Sequence, residues 1–338
     1  MSDPTPAPID RHEFDAASLM AEHPPRVHNV NKQVVLDIAC SPGAVHRGTI
    51  GYTRWAAMAL PEVLDPVPDD LVRSVPGFFD YERVLEGDDV VEWHVNFADP
   101  YLFVAYAGGL FAQDEMQVAE HPGLAALKQA LTAADVETRT DGPAGPTPVL
   151  VTGVERRVAI ETNRDEAAGR PHGLYGNAFG TADPDAVRRA TTPIDPPIVT
   201  NVLAIAAIAG DRSRCGEQYT ADEIRRTLVT AHTGFRAAVV ESERLTGGPA
   251  RVVIHTGHWG CGAFGGNRVL TALLQVVAAE MAGLERLVFH TGSPRGDAPL
   301  ADARSRIAKL TGSEPIATAD LLAAIEAQGF EWGTSDGN

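Results

Sequence analysis

Apolar residues recur along this chain at two different periods. Val90 to Phe97 alternates at a period of two and predicts a strand. Short apolar or β-branched runs at Val149–Val151, Val252–Ile254 and Arg286–His290 also have strand character, and Val34–Ala39 reads as a first strand. Val202–Ile208 fits a buried strand or helix. Spacings of three and four mark helices. Leu270, Leu273, Leu274, Val277 and Met281 place one over Val269–Leu284. A second covers Ala221–Leu245, with Thr220 as N-cap and Glu223 three residues on, a capping-box pattern. Gln113–Glu120 opens a third, continued by Gly123–Ala134, and Thr53–Leu60 predicts a short one. Proline and glycine break the pattern between Pro61 and Pro76, at Asp141–Pro148, and over Glu161–Pro197, which reads as long surface loops. Residues 1–25, rich in Pro, Ala and charge, read as a mobile tail. Alternating β and α signals with no internal repeat predict an α/β layered fold.

The most specific chemistry lies at Arg251-Val-Val-Ile-His-Thr-Gly-His-Trp-Gly-Cys-Gly-Ala-Phe-Gly-Gly-Asn267. Strand, glycine loop and helix start in succession bring backbone N–H groups close to a phosphate at the positive end of a helix. Gly260 to Gly265 also spells G-x-G-x-x-G, the dinucleotide pattern. A nicotinamide-dependent oxidoreductase on that loop would prefer NADH to ADP-ribose. The next strand, however, ends in His290 and Thr291 rather than an acidic residue, and only about seventy residues follow the loop. His255, His258 and Cys261 have a spacing open to zinc but lack a fourth ligand, so no metal is expected. Cys261 beside His258 raises a thiol nucleophile as another option.

Composition narrows the partners. The formal charge of −17 over 338 residues disfavours nonspecific binding to nucleic acid or an anionic membrane. No apolar run approaches the ~18 residues of a membrane span. The first residues lack a basic-plus-apolar signal, and three scattered cysteines suit a reducing cytoplasm.

Thr256 to Gly266 resembles the diphosphate-binding loop of the poly(ADP-ribose) glycohydrolases, which are built on a macrodomain. His94-Val-Asn-Phe-Ala-Asp99 followed by Gln113-Asp-Glu115 resembles that family's Phe-Ala-Asn segment and Gln-Glu-Glu signature. Val149–Glu155 and Ile224–Phe235 resemble further blocks, in the family's order, so the likeness spans about residues 80–295. It implies a three-layer α/β/α macrodomain with a mixed central sheet over residues 26–338, with 26–80 as an N-terminal extension packed on it.

The resemblance also implies the site. Glu115 falls at the catalytic glutamate, the acid that protonates a departing glycosidic oxygen and then takes a proton from water. Its pKa must be raised for that work, and Asp114 could supply the repulsion and hold ribose hydroxyls. Gln113, Phe97, Asp99 and Tyr175 fall near the ribose. Gly260, Gly262, Ala263, Phe264, Gly265 and Gly266 hold the diphosphate, flanked by His258 and Trp259; one of Trp259 and Phe264 could cover the nucleotide. Cys261 reads as a small packing residue. The bland alternative is that Asp114 and Glu115 merely favour a helix N-terminus.

Four departures are visible. The tripeptide is Gln-Asp-Glu. His258 replaces an asparagine, and Thr291 stands where an adenine-stacking aromatic is expected. The family's three glycines fall on Phe103-Val104-Ala105 without a gap, or on Gly108-Gly109 with one. The expected activity is hydrolysis of an O-glycosidic bond to ADP-ribose in a polymer, a mono-ADP-ribosylated protein or a small NAD-derived metabolite, without a cofactor. A binding module for ADP-ribose is the alternative. The expected partner is an ADP-ribose-containing substrate, with no nucleic acid or membrane, in the cytoplasm.

Overall fold

The computed structural model describes residues 6–210, 212–292 and 294–337. The chain opens with strand β1 (Asp10–Asp15), helices α1 (Ala16–Glu22) and α2 (Val30–Ala39), and strands β2 (Thr49–Arg54), β3 (Val63–Leu64), β4 (Val72–Val75) and β5 (Val90–Ala98). Helices α3 (Gln113–Glu120) and α4 (Pro122–Ala133) follow, then a small hairpin, β6 (Asp141–Gly142) and β7 (Gly145–Pro146), and strand β8 (Val149–Ile160). Next come α5 (Asn177–Gly180), α6 (Pro184–Ala190), β9 (Thr191–Ala206) and the long α7 (Ala221–Thr246). The chain continues with β10 (Arg251–Gly257), α8 (Arg268–Ala282), β11 (Arg286–His290), α9 (Asp297–Thr311), β12 (Ile316–Ala317) and α10 (Thr318–Glu326).

Eight strands form one mixed sheet in the order β1-β2-β8-β9-β5-β10-β11-β4. From β9 to β4 neighbouring strands run parallel; from β1 to β9 they run antiparallel. Period-two alternation distributes the core between two faces. Leu203 and Ile205 of β9, with Val91, Trp93 and Val95 of β5, join a cluster with α7, α8, α9 and α10. Val202 and Ala204 join Leu124, Leu127 and Leu131 of α4 on the opposite face. Helices therefore cover both faces, giving a three-layer α/β/α architecture. Helix α7 forms as its sequence predicts: Thr220 accepts from the Glu223 N–H while the Glu223 carboxylate accepts from the Thr220 N–H. Its Ile224, Leu228, Ala231 and Phe235, spaced by four, three and four, are buried. Each fully buried large side chain of this kind contributes about 1.5–3 kcal/mol.

Several local expectations are overturned. Residues 1–25 read as a mobile tail, yet Asp10–Asp15 pairs with Thr49–Arg54, and Arg11 makes two bonds of 2.8 and 2.7 Å to Glu241 on α7. The remainder of that expectation, residues 1–5, lies outside the described residues. Val34–Ala39 is helical, because Asn29 caps the N–H groups of Asn31 and Lys32 and the apolar side packs on Phe111 and Phe179. Thr53 lies within β2, which runs to Arg54, instead of starting a helix. Residues 26–80 do more than pack on the domain: they supply β2 and β4, the latter an edge of the sheet. Glu161–Pro197 holds α5, α6 and the start of β9. No helix among the described residues is long and apolar enough to cross a membrane.

Candidate active site

A cavity of about 880 Å³ opens beyond the C-terminal ends of β5 and β10, lined from α3, the glycine loop and segments 78–81 and 159–163. The carboxyl ends of parallel strands are where open α/β sheets bind ligands. Pairing between β5 and β10 ends at His94–His255, so the chain ends beyond that register are free to diverge.

Helix α3 is fastened to this end of β5 by Gln113. Its side chain donates to the Val95 carbonyl at 3.1 Å and accepts from the Phe97 N–H at 2.7 Å, serving backbone that no longer has β10 as neighbour. Gln113 lines the cavity but its amide is committed to the strand, which differs from the ligand-binding role its position implied. The residue that orients the carboxyl group is Asn96, absent from the residues expected at the site. Asn96 donates to Asp114 Oδ1 at 3.0 Å and to Gln117 Oε1 at 2.9 Å. An asparagine inside a strand of buried apolar residues was the available signal.

Asp114 and Glu115 are both buried and both line the cavity. Burial, with the adjacent Glu115 carboxylate second, pushes Asp114 up to about 8; Asn96 and Lys32 oppose the rise. The resemblance implies a carboxyl raised by its neighbour, with Asp114 acting on Glu115. Here Asp114 is itself displaced, being the carboxyl turned toward Asn96 in the sheet, where burial dominates. Glu115 Oε2 accepts from the Ala112 N–H at 2.9 Å, so the helix-terminus reading holds in part: this carboxylate caps its own helix while lining the site. Nearby, Lys32 is buried, donates to the Tyr106 carbonyl at 3.0 Å and lies 5.0 Å from the Phe111 ring centroid. Burial lowers it to about 8, against the pull of Glu115 and Asp114. A helical lysine ordinarily faces water, so nothing in its local sequence marked it.

The glycine loop is built as a cradle. Gly260 has φ 72°, a left-handed conformation, and a Cβ there would meet the Ala207 methyl at 2.5 Å. Among the described residues the N–H groups of Gly262, Ala263 and Phe264 have no hydrogen-bond partner. The helix that follows is less available than expected. Asn267 Oδ1 accepts from Val269 and Leu270, capping the first turn of α8, so the open donors belong to the loop. Arg268, another residue missed, lines the cavity beside them.

The remaining candidates divide. Phe97, Asp99, Tyr175, His258, Gly260, Gly262, Ala263 and Phe264 all line the cavity. Gly265 and Gly266 do not. They pack against Gly333 and against Gly260 from behind. Trp259 reaches the cavity wall, but it is 1 % exposed and its indole N–H donates to the Ile205 carbonyl, so packing fixes it. Asp99 accepts from the Tyr101 N–H at 3.1 Å. His258 is held by the Gly296 carbonyl at 3.0 Å. Burial raises Tyr175 to about 12, with Asp336 and Glu115 adding to it. Cys261 is buried, contacts Thr271 Oγ1 at 3.0 Å, and is pushed up to about 12 by burial, which suits packing rather than nucleophilic attack. Its neighbours in sequence turn elsewhere: His255 bonds Glu92 at 2.9 Å and His290 at 3.1 Å.

The two placements of the missing glycines have different surroundings. Val104 and Ala105 line the cavity. Phe103 has φ 52°, the left-handed region that favours glycine. Gly109 instead packs against Gly180, where a Cβ would come within 3.2 Å of the Gly180 Cα. Below the carboxyls, Arg156 donates to Glu120 at 2.8 Å and to the Asp80 carbonyl at 3.0 Å, and its guanidinium lies 4.2 Å from the Tyr81 ring centroid. Tyr81, Glu120, Arg156 and His290 extend the cavity wall and were not anticipated.

Residues 171–295 match the family described as poly(ADP-ribose) glycohydrolase (PARG), macro domain fold; the match includes the glycine loop and β11 but not Gln113–Glu115. Among solved structures, the poly(ADP-ribose) glycohydrolase of Thermomonospora curvata is 19% identical, with 64% of this chain and 68% of that one covered and a TM-score of 0.38. That of Deinococcus radiodurans in complex with ADP-ribose is 16% identical, with 65% and 75% covered and a TM-score of 0.38. A mutant form of the Deinococcus radiodurans protein, also in complex with ADP-ribose, is 13% identical, with 88% and 94% covered and a TM-score of 0.41. The family match therefore takes in the glycine loop but covers less than half of the chain.

Proposed function

We propose that this protein hydrolyses an O-glycosidic bond to ADP-ribose and releases ADP-ribose. The observation that carries the reading is one cavity holding both parts the reaction requires. Two adjacent buried carboxyls line it, as does a loop in which the N–H groups of Gly262, Ala263 and Phe264 have no partner among the described residues. The loop donors at Gly262, Ala263 and Phe264 bind the diphosphate, with Arg268 supplying positive charge, and so fix the distal ribose over α3. Glu115 gives a proton to the departing oxygen as the bond from the anomeric carbon breaks. Water adds to that carbon and returns a proton to Glu115. Asp114, pushed up to about 8, is protonated at neutral pH, so its hydroxyl can donate to a ribose oxygen and Glu115 is spared a charged neighbour.

The substrate is an ADP-ribosylated protein, a polymer end or a small ADP-ribosyl compound. Val104 and Ala105 occupy cavity wall where the family has glycine, which favours a substrate less bulky than a polymer interior. One observation favours a second reading. Glu115 is engaged by the Ala112 N–H, as in a carboxylate that only caps its helix, which would leave an ADP-ribose-binding module.

The deciding assay is release of free ADP-ribose from poly(ADP-ribosyl)ated and mono-ADP-ribosylated protein, wild type beside Glu115→Gln. The expected loss in the variant is at least about 100-fold, with ADP-ribose affinity kept within a few-fold. No release by either protein, with calorimetric binding intact, would refute catalysis and leave the binding module.

A further inference from the structure

The segment after α10 crosses the glycine loop. It is anchored at Trp332, whose ring stacks on Tyr219 at 4.1 Å and whose backbone N–H donates to the Glu217 carbonyl at 2.8 Å. From Gly333 onward it lies on the loop itself. Gly333 N–H donates to the Gly265 carbonyl at 2.8 Å, Ser335 Oγ to the Ala263 carbonyl at 2.6 Å, and Asp336 N–H to the Gly262 carbonyl at 3.3 Å. Asn177 holds the far end through the Gly337 carbonyl at 3.3 Å. The contact is close: a Cβ on Gly262 would lie 3.0 Å from Asp336 Oδ2.

This arrangement puts an anionic group where the site is built for one. Asp336 lines the same cavity as Gly262, Ala263, Phe264 and Arg268, and its charge is felt at Tyr175 together with that of Glu115. The loop carbonyls of Gly262, Ala263 and Gly265 are taken by the segment, while the N–H groups of Gly262, Ala263 and Phe264, residues that line the cavity, have no partner among the described residues. Thr334, Asp336 and Gly337 are exposed, and beyond the buried Trp332 the contacts described for the segment are polar. Little apolar surface has to be uncovered to lift it.

We propose that residues 333–337 are an autoinhibitory strap. The Asp336 carboxylate stands in the diphosphate subsite, and the strap must lift or turn aside for a diphosphate ligand to bind. This rests on the ADP-ribose reading of the site, so its test uses a second probe that does not. Inorganic pyrophosphate and ADP-ribose are titrated separately by calorimetry into wild type, Asp336→Asn and Ser335→Ala, with thermal midpoints confirming that each folds.

Removing one like charge from the subsite is expected to tighten pyrophosphate and ADP-ribose about ten-fold in Asp336→Asn. The gain should shrink as salt is raised from about 0.02 to about 0.5 M, because screening removes most of the repulsion. Ser335→Ala, which loosens the strap but keeps its charge, should give a smaller gain. Unchanged or weaker pyrophosphate binding in Asp336→Asn would overturn the strap and assign Asp336 to ligand contact or to neither role. Tighter pyrophosphate with no ADP-ribose binding in any variant would keep the strap and overturn the ADP-ribose reading. Binding of neither probe by any of the three proteins would overturn both.

Discussion

Asp114→Asn should make this protein more stable, and increasingly so as pH rises. Asp114 is buried, with Asn96 donating to its Oδ1, and burial beside Glu115 pushes it up to about 8. Unfolded, the same carboxyl titrates near its ordinary value of about 4. The folded state thus prefers the protonated form. Asp114 favours folding fully below pH ~4, and that contribution is lost as pH rises toward 8, where the unfolded chain ionises and the folded one resists. Each pH unit in the window costs about 1.4 kcal/mol, so the whole displacement corresponds to about 5 kcal/mol by pH 8. Asparagine keeps the oxygen that accepts from Asn96 and has no charge to bury. Urea denaturation of both proteins at pH 5, 6, 7 and 8 should show the variant's advantage growing by about 1.4 kcal/mol per unit, less in the last step toward 8. Turnover should fall at the same time, since the hydroxyl proposed to donate to a ribose oxygen is gone. An advantage that stays flat with pH, or a variant less stable than wild type at pH 8, would refute the placement of this carboxyl.

Two further outcomes follow from the same site. Gln113→Ala leaves the Phe97 N–H and the Val95 carbonyl without their side-chain partner, and should cost about 1–3 kcal/mol by urea denaturation as well as misplacing α3. Arg156→Met strands Glu120, which burial already raises against the pull of Arg156. A loss of about 3–5 kcal/mol is expected, larger at alkaline than at acid pH, and denaturation at pH 5 and 8 checks the sign.

Sequence alone determined the long, strongly periodic elements and the glycine loop between β10 and α8. The capping box at Thr220 and Glu223, the three-four spacing of Leu270 to Met281, and the alternation of Val90 to Phe97 are local properties, written in consecutive residues. The glycine loop was legible for the same reason: a strand, a cradle and a helix start occupy adjacent positions. Local signals misled where tertiary contact outweighed propensity. Val34 and Val35 favour a strand by their branching, yet Asn29 caps a helix there and Phe111 and Phe179 pack on it. The polar Asp10–Asp15 looks like a tail until Thr49–Arg54 offers it an edge to pair with.

Within the site, sequence supplied Asp114 and Glu115 but could not assign their environments. Only the fold decided that Asn96, 18 positions away, holds Asp114, and that Gln113 is committed to the strand. Tertiary structure alone also placed Lys32 beside the carboxyls and Asp336 on the glycine loop. Proton affinity depends on burial and on charges brought close through space, and neither quantity is carried by the order of residues.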